Sequence, residues 1–205
     1  VGDRRAAVQQ PGRQHEAPVV RDDAVLLLID VQKGFDDAAF WGRRDNPGAE
    51  KNMRALIEAW EETGRPIVLV RHDSVRQSPL HPADPGNAFK DMVADVEPAL
   101  LVVKQVNSAF YGTPDLHAWL RERGARQLVI AGIQTNMCNE TTARMGGNLG
   151  YDVLFVLDAM HTFDLAGPDG ETVTAEELTR ATATNLHGGR FARVVSTADV
   201  TDPRW

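Results

Sequence analysis

Six short, unbroken apolar runs constrain this chain more than any other feature. They are Val25–Asp30, Pro66–Arg71, Leu100–Lys104, Gln127–Gly132, Asp152–Leu157 and Ala192–Ser196. Each has the length of a strand, and the apolar residues run together rather than alternating with polar ones. Strands of that kind are buried on both faces, as in a parallel sheet covered by helices. The segments between them carry helical signals. Asn46-Pro47 predicts an N-cap and a proline at the first helical position, followed by Met53, Leu56, Ile57 and Trp60 on one face and a stop at Gly64. Thr113-Pro114 predicts a second start, with Leu116, Trp119 and Leu120 on one face and Gly124 beyond the end. A third helix is expected from near Cys138 towards Leu149, stopped by Gly150. Thr174-x-x-Glu177 reads as a capping box, with Gly188 past that helix. Alternating strands and helices imply right-handed crossovers and a three-layer α/β/α fold. Ligands in such folds sit beyond the carboxyl ends of the strands.

Composition narrows the function classes. With 205 residues the chain reads as one domain over 24–205, preceded by a loosely structured arm over 1–23. The arm holds charges and prolines with no continuous apolar core, unlike a signal peptide. The apolar run at Ala24 to Ile29 is far short of the ~20 residues of a membrane helix. The formal net charge of −7 argues against a nucleic-acid partner, which requires a basic face. The single cysteine, Cys138, excludes an intrachain disulfide and the usual multi-cysteine zinc site. A reducing, cytoplasmic setting is the expectation.

Three polar residues fall at the expected ligand edge. Asp30 ends the first run, Lys104 ends the third, and Cys138 follows the fourth across Ile133–Met137. Singly, each has an ordinary reading: a turn residue, a solvated lysine, a small buried hydrophobe. Together they are an acid, a base and a nucleophile. A free thiol of pKa ~8.5 is only slightly ionised at neutral pH. A helix N-terminus and a nearby Lys104 ammonium are expected to favour the thiolate. Asp30 would take the thiol proton and hand it to a leaving nitrogen, giving a thioester that water then hydrolyses.

The motifs around these residues carry a resemblance. Asp30-Val-Gln-Lys-Gly-Phe35, Lys104 followed by Asn107-Ser-Ala-Phe110, Ala131-Gly-Ile-Gln-Thr-Asn-Met-Cys138, Gly150-Tyr-Asp-Val153, Asp158-Ala159, and the tail from Ala175-Glu-Glu177 to Phe191-Ala-Arg-Val194 resemble the isochorismatase-like cysteine hydrolase family. That family includes nicotinamidases and N-carbamoylsarcosine amidohydrolases. The resemblance spans Ala24 to Val200. It implies a six-stranded parallel sheet of order 3-2-1-4-5-6 and a catalytic triad of Asp30, Lys104 and Cys138. It also implies a cis peptide at Ile133–Gln134, which would aim the Gln134 amide beside that of Cys138 as an oxyanion hole, with Thr135 bracing the turn. A homo-oligomer, dimer or tetramer, is expected by the same analogy.

Departures from the pattern shape the functional expectation. Nicotinamidases use an Asp-x-His pair with further histidines to hold a metal. This chain reads Arg71-His72-Asp73-Ser74, with His81 later. Too few convergent ligands are visible for a metal site, so no metal or other cofactor is expected. Isochorismatases proper lack the cysteine, so Cys138 favours acyl chemistry on a C–N bond of a small amide, lactam or carbamoyl compound. The alternatives are ether hydrolysis of the isochorismatase type and a non-catalytic binding protein on the same fold. A nucleotide-binding domain is disfavoured, because no strand is followed by the glycine fingerprint. Phe35, Trp41, Phe110, Tyr111 and His161 are candidate substrate contacts, with Thr162 beside His161. Arg43 and Arg44 are expected in solvent or against another subunit. Gly146-Gly147 is expected to let a helix approach the sheet closely.

Overall fold

A computed structural model describes residues 20–202. Most of the arm expected over 1–23 lies outside the described residues. At its described end, Val20 is buried in the chain's own core. Eight strands form in chain order: β1 Ala24–Ile29, β2 Ile67–His72, β3 Leu100–Lys104, β4 Gln127–Ile133, β5 Asp152–His161, β6 Leu165–Ala166, β7 Thr172–Val173 and β8 Arg193–Val195. The main sheet has six strands in the order β3-β2-β1-β4-β5-β8. Its neighbouring strands are parallel. Apart from the small antiparallel hairpin β6–β7, this is the expected 3-2-1-4-5-6 order. The hairpin strands have two residues each, too few to leave a pattern in the sequence.

The helices are α1 Ala38–Trp41, α2 Ala49–Thr63, α3 Asp91–Ala94, α4 Leu116–Glu122, α5 Glu140–Asn148, α6 Ala175–Gly188 and α7 Thr197–Thr201. Alternation along β1 sorts the core into two layers. Leu26 and Leu28 pack with Met53, Leu56, Ile57 and Trp60 of α2 and with Val200 of α7. Val25, Leu27 and Ile29 pack with Leu116 and Leu120 of α4, Ala143 of α5 and Leu186 of α6. All of β1 is fully buried, which is why its sequence is apolar at every position. Among the described residues no helix is long and apolar enough to cross a membrane.

Two helix starts differ from the sequence expectation, and each has a local cause. Asn46 does not cap α2: its backbone is left-handed (φ 40°), and its side-chain amide donates to the carbonyls of Asp158 and Met160. The helix starts at Ala49, after Gly48. Thr113 is drawn into a backbone pair with Val103, so Asp115 caps α4 instead. The Thr174–Glu177 capping box on α6 forms as expected.

Close packing demands glycine where β4 ends. Gly132 has φ +134°, and a Cβ there would collide with the Ile29 carbonyl oxygen on β1. Gly146 and Gly147 lie against the Leu128 and Val153 side chains and the Phe191 backbone, so α5 sits low on the sheet as anticipated.

A charge network joins Asp36, Arg44 and Glu50 to Lys90, its most buried member. Lys90 binds Asp36 at 2.6 Å and Glu50 at 2.9 Å, and Arg44 binds Glu50 through both terminal nitrogens. His161 ends β5 beside this network, fully buried, with Phe163 edge-on at 5.3 Å. Neither ring nitrogen has a hydrogen-bond partner, and Nε2 lies 3.7 Å from Glu50. Burial, then the Arg44 charge, pushes its pKa down to about 3 against the pull of Glu50.

Two outcomes follow from this packing. Gly132→Ala is expected to cost several kcal/mol, because strain and collision coincide there. Chemical denaturation of the variant measures the loss, and wild-type stability would contradict it. For His161, the unfolded ring binds a proton near pH ~6.5 while the folded ring stays neutral down to about pH 3. The unfolded state therefore binds more protons in that window, and stability falls as pH falls through it. Between pH 7 and 4.5, wild type should lose about 2–3 kcal/mol more than His161→Leu in urea titrations. Equal losses in the two proteins would refute the assignment.

Candidate active site

The topology gathers the three polar residues singled out in the sequence. Asp30 follows β1 directly, with a left-handed backbone (φ 54°) whose N–H donates to the Val70 carbonyl at 2.8 Å. Lys104 is the last residue of β3. Cys138 stands in a π-helical turn, Thr135–Asn139, that leads from β4 into α5. The Lys104 ammonium donates to Asp30 Oδ2 at 2.7 Å and to Cys138 Sγ at 3.3 Å. Its third near neighbour is His72 Nδ1, at 3.0 Å. The Asp30 and Lys104 side chains are both completely buried. Asp30 Oδ1 is buried and accepts no hydrogen bond.

Electrostatics correct one expectation. The thiol is not primed as a thiolate. Burial pushes the Cys138 pKa up, the Asp30 carboxylate adds to that, and the Lys104 charge offsets only part of it. The Asp30 carboxylate that Lys104 engages more closely opposes the ammonium's field at sulfur. Burial pulls the Lys104 pKa down, but the Asp30 charge and the hydrogen bonds to Asp30 and Cys138 outweigh it and raise it. His72 is held neutral by burial and by the Lys104 charge beside it.

Gln134 precedes the π-helical turn in extended conformation, and the Ile133–Gln134 peptide is cis. The Gln134 carbonyl accepts the N–H groups of Met137 and Asn139, while its own N–H makes no backbone hydrogen bond. Thr135 was expected to brace this turn, but its buried hydroxyl has no partner. A hydrogen bond from the Thr162 hydroxyl to Asn136 Oδ1 ties the turn to the end of β5 instead.

A cavity of about 470 Å³ opens over Cys138. Its polar lining includes Asp30, His72, Asn107, Gln134 and Cys138. Its apolar walls include Phe35, Trp41, Leu80, Met137 and Phe163. Trp41 and Phe163 stack at 5.4 Å, and Phe35 packs on Trp41 at 4.9 Å. Trp41 Nε1 donates to the Gly34 carbonyl at 2.8 Å, which fixes the indole in the wall. The loops that bear these aromatics are joined across the cavity mouth. Arg43 makes paired hydrogen bonds to both Asp164 and Glu176, and Arg44 pairs its backbone with Phe163. Arg43 is exposed, as expected, while Arg44 is partly buried; both are ion-paired within the chain.

Phe35 and Trp41 thus line the cavity, and three other candidates do not. Phe110 points into the core, stacked on Tyr151 at 6.0 Å. Tyr111 is 71% exposed beside a separate cavity at the β3 edge, with Val103, Gln105, Val106 and Thr113. Their loop folds back through the Val103–Thr113 bridge, and neither ring lines the cavity over Cys138. His161 is still within β5, because the strand runs on to residue 161 rather than ending at Leu157. It therefore faces the Glu50 network and not the cavity.

His72, Leu80, Met137 and Phe163 are lining residues that sequence reasoning did not assign, and Asn107 appeared only inside a motif. His72 was weighed only as a metal ligand. Extending the second run by one residue would have set it at the same sheet edge. The residues considered for a metal do not converge: Asp73 is held by Arg71 and Asn87, and His81 Nδ1 accepts the Ala83 N–H. The one close group of potential ligands among the described residues is Asp30, His72 and Cys138, all within 4.8 Å of one another. The Lys104 ammonium already sits among those three, so they do not fit a metal ion.

Comparison with known proteins agrees with this geometry. Residues 24–199 match the isochorismatase domain model. The isochorismatase family protein YrdC of Bacillus subtilis (strain 168) is 34% identical over 179 residues, covering 87% of this chain and 94% of that protein. Nicotinamidase 3 of Arabidopsis thaliana is 30% identical over 188 residues, covering 84% of each. The crystal structure of an isochorismatase-family protein from Chromobacterium violaceum ATCC 12472 superposes with a TM-score of 0.82 at 39% identity, covering 95% of this chain and 97% of that one. The α/β sheet order, the edge on which Asp30, Lys104 and Cys138 meet, and a domain match over most of the chain lead to one assignment: the protein belongs to the isochorismatase family of hydrolases.

Proposed function

We propose that this protein is a cysteine hydrolase that cleaves the C–N bond of a small amide, lactam or carbamoyl compound through a thioester. The observation that carries this reading is the buried arrangement of Asp30, Lys104 and Cys138 beneath one cavity, with Asp30 Oδ1 unpartnered. A raised thiol pKa calls for a base that acts as the bond forms, and the free Asp30 oxygen supplies one. Asp30 takes the Cys138 proton while sulfur attacks the carbonyl carbon, and the carbonyl π electrons move onto oxygen. The Gln134 and Cys138 backbone N–H groups receive that oxyanion, each such donor being worth about 10²–10³ in rate. The oxyanion collapses, the C–N bond breaks, and Asp30 returns the proton to the departing nitrogen. Asp30 then deprotonates a water that attacks the thioester. Sulfur leaves, takes back the proton, and the acid product departs. Lys104 donates to Asp30 and lies close enough to sulfur to stabilise the thiolate as it forms.

The cavity supports an uncharged substrate with a flat apolar part. Aromatic rings form its wall, and among the described residues its lining includes no arginine or lysine to meet a carboxylate. Asp164, which also lines it, is already paired with Arg43. The relative named as a nicotinamidase supports amide chemistry in this family.

The test is ammonia or amine release from acetamide, benzamide, 2-pyrrolidinone, phenylurea and N-carbamoylglycine. Cys138→Ala should abolish turnover with an unchanged circular dichroism spectrum, and Asp30→Asn should lose about 10²–10⁴-fold. Intact-mass spectrometry at short times should show the wild-type chain carrying the acyl group. Full activity in Cys138→Ala would overturn the reading, and vinyl-ether cleavage by that variant would favour the isochorismatase-type reaction.

A further inference from the structure

We propose that His72 is a substrate-binding residue of this site, locked by Lys104 as the Nε2–H tautomer so that it presents a hydrogen-bond donor to the cavity. The inference rests on the acyl-transfer reading for the identity of the ligand, but its geometric part does not.

A lysine ammonium has three protons to donate and nothing with which to accept. In this site the three go to Asp30 Oδ2, Cys138 Sγ and His72 Nδ1, at 2.7, 3.3 and 3.0 Å. Facing a permanent donor, Nδ1 must offer its lone pair. The one proton of a neutral imidazole then resides on Nε2. A charged imidazolium would turn an N–H towards the ammonium, which both burial and the Lys104 charge oppose.

The backbone that carries the ring is clamped. The His72 N–H donates to Gln32 Oε1 at 2.8 Å, and its carbonyl accepts from Gln32 Nε2 at 3.0 Å and Asn87 Nδ2 at 3.2 Å. Gln32 is fully buried two residues beyond Asp30, so one loop sets both Asp30 and His72. Nε2 has no protein partner among the described residues. Unlike the nitrogens of His161, it is not sealed from solvent, and the residue forms part of the cavity wall. It therefore selects substrates that carry an acceptor, such as a carbonyl oxygen or an aza nitrogen, beside the scissile group. It disfavours those that place an N–H there.

Two measurements test this. Long-range 1H–15N correlation of the imidazoles at pH 7, with His72→Gln for assignment, should show a protonated Nε2 and a bare Nδ1 at His72. An Nδ1–H tautomer or an imidazolium would overturn the proposal without reference to any substrate. The second uses whichever of the five compounds above has the highest kcat/KM. His72→Asn keeps an acceptor near Lys104, but its shorter amide no longer carries a donor to the Nε2 position, so KM should rise about tenfold and most of the loss should fall on KM. His72→Phe removes both groups, so kcat should fall as well. A wild-type KM in His72→Asn would refute the binding role. If none of the five compounds is turned over by wild type, the acyl-transfer reading and the binding role fall together, while the tautomer result still stands or fails by itself.

Discussion

The buried ion pair between Asp30 and Lys104 is the constraint on which this architecture turns. Two charges withdrawn from water carry a desolvation cost of several kcal/mol each, recovered only if their remaining polar atoms are satisfied. Lys104 meets that condition, since each of its three protons has an acceptor within 3.3 Å. Asp30 does not, because Oδ1 is left without a hydrogen bond in a fully buried position. A deficit of that kind in a native core usually marks a function. Here the unpartnered oxygen belongs to the carboxylate that stands closest to the thiol chemistry.

Sheet order explains why the cation is a lysine. In the order β3-β2-β1-β4, Asp30 stands at the end of β1 and Lys104 at the end of β3, with β2 between them. Strands are spaced about 4.8 Å apart, so the two Cα positions are separated by roughly twice that distance. A short cation could not cover the gap. A long unbranched chain can run over the end of β2, and in doing so it passes His72, the last residue of that strand. The nucleophile arrives from the other side, on the turn after β4. Gly132 permits that approach, because any side chain there would strike the Ile29 carbonyl immediately before Asp30.

The sheet and most of the reacting groups were legible because they rest on strong local signals. A fully apolar β1 has few alternatives to a central buried strand, and residues at strand ends inherit their position from the sheet. Three things were not legible, each for a physical reason. Asn46 and Thr113 look like helix caps, but distant carbonyls on β5 and β3 compete for them and win. His161 seemed to lie in a loop, yet a register shift between Ile130 and Gly132 lets β5 extend to it. Phe110 and Tyr111 follow Lys104 closely, but the backbone folds back antiparallel, and proximity in sequence does not become proximity at the site.

The raised thiol pKa opposes nucleophilic chemistry, and the charge balance of the site limits that opposition. At rest the proposed triad holds a carboxylate, an ammonium and a neutral thiol, with a net charge of zero. After proton transfer it holds a neutral acid, an ammonium and a thiolate, again with a net charge of zero. No ion enters from or leaves to solvent, so the desolvation that raises the pKa against bulk water is not incurred a second time. The negative charge only moves from an oxygen 2.7 Å from the Lys104 ammonium to a sulfur 3.3 Å from it. In the proposed mechanism the buried resting thiol and the thiolate that attacks are two states of one charge-neutral cluster.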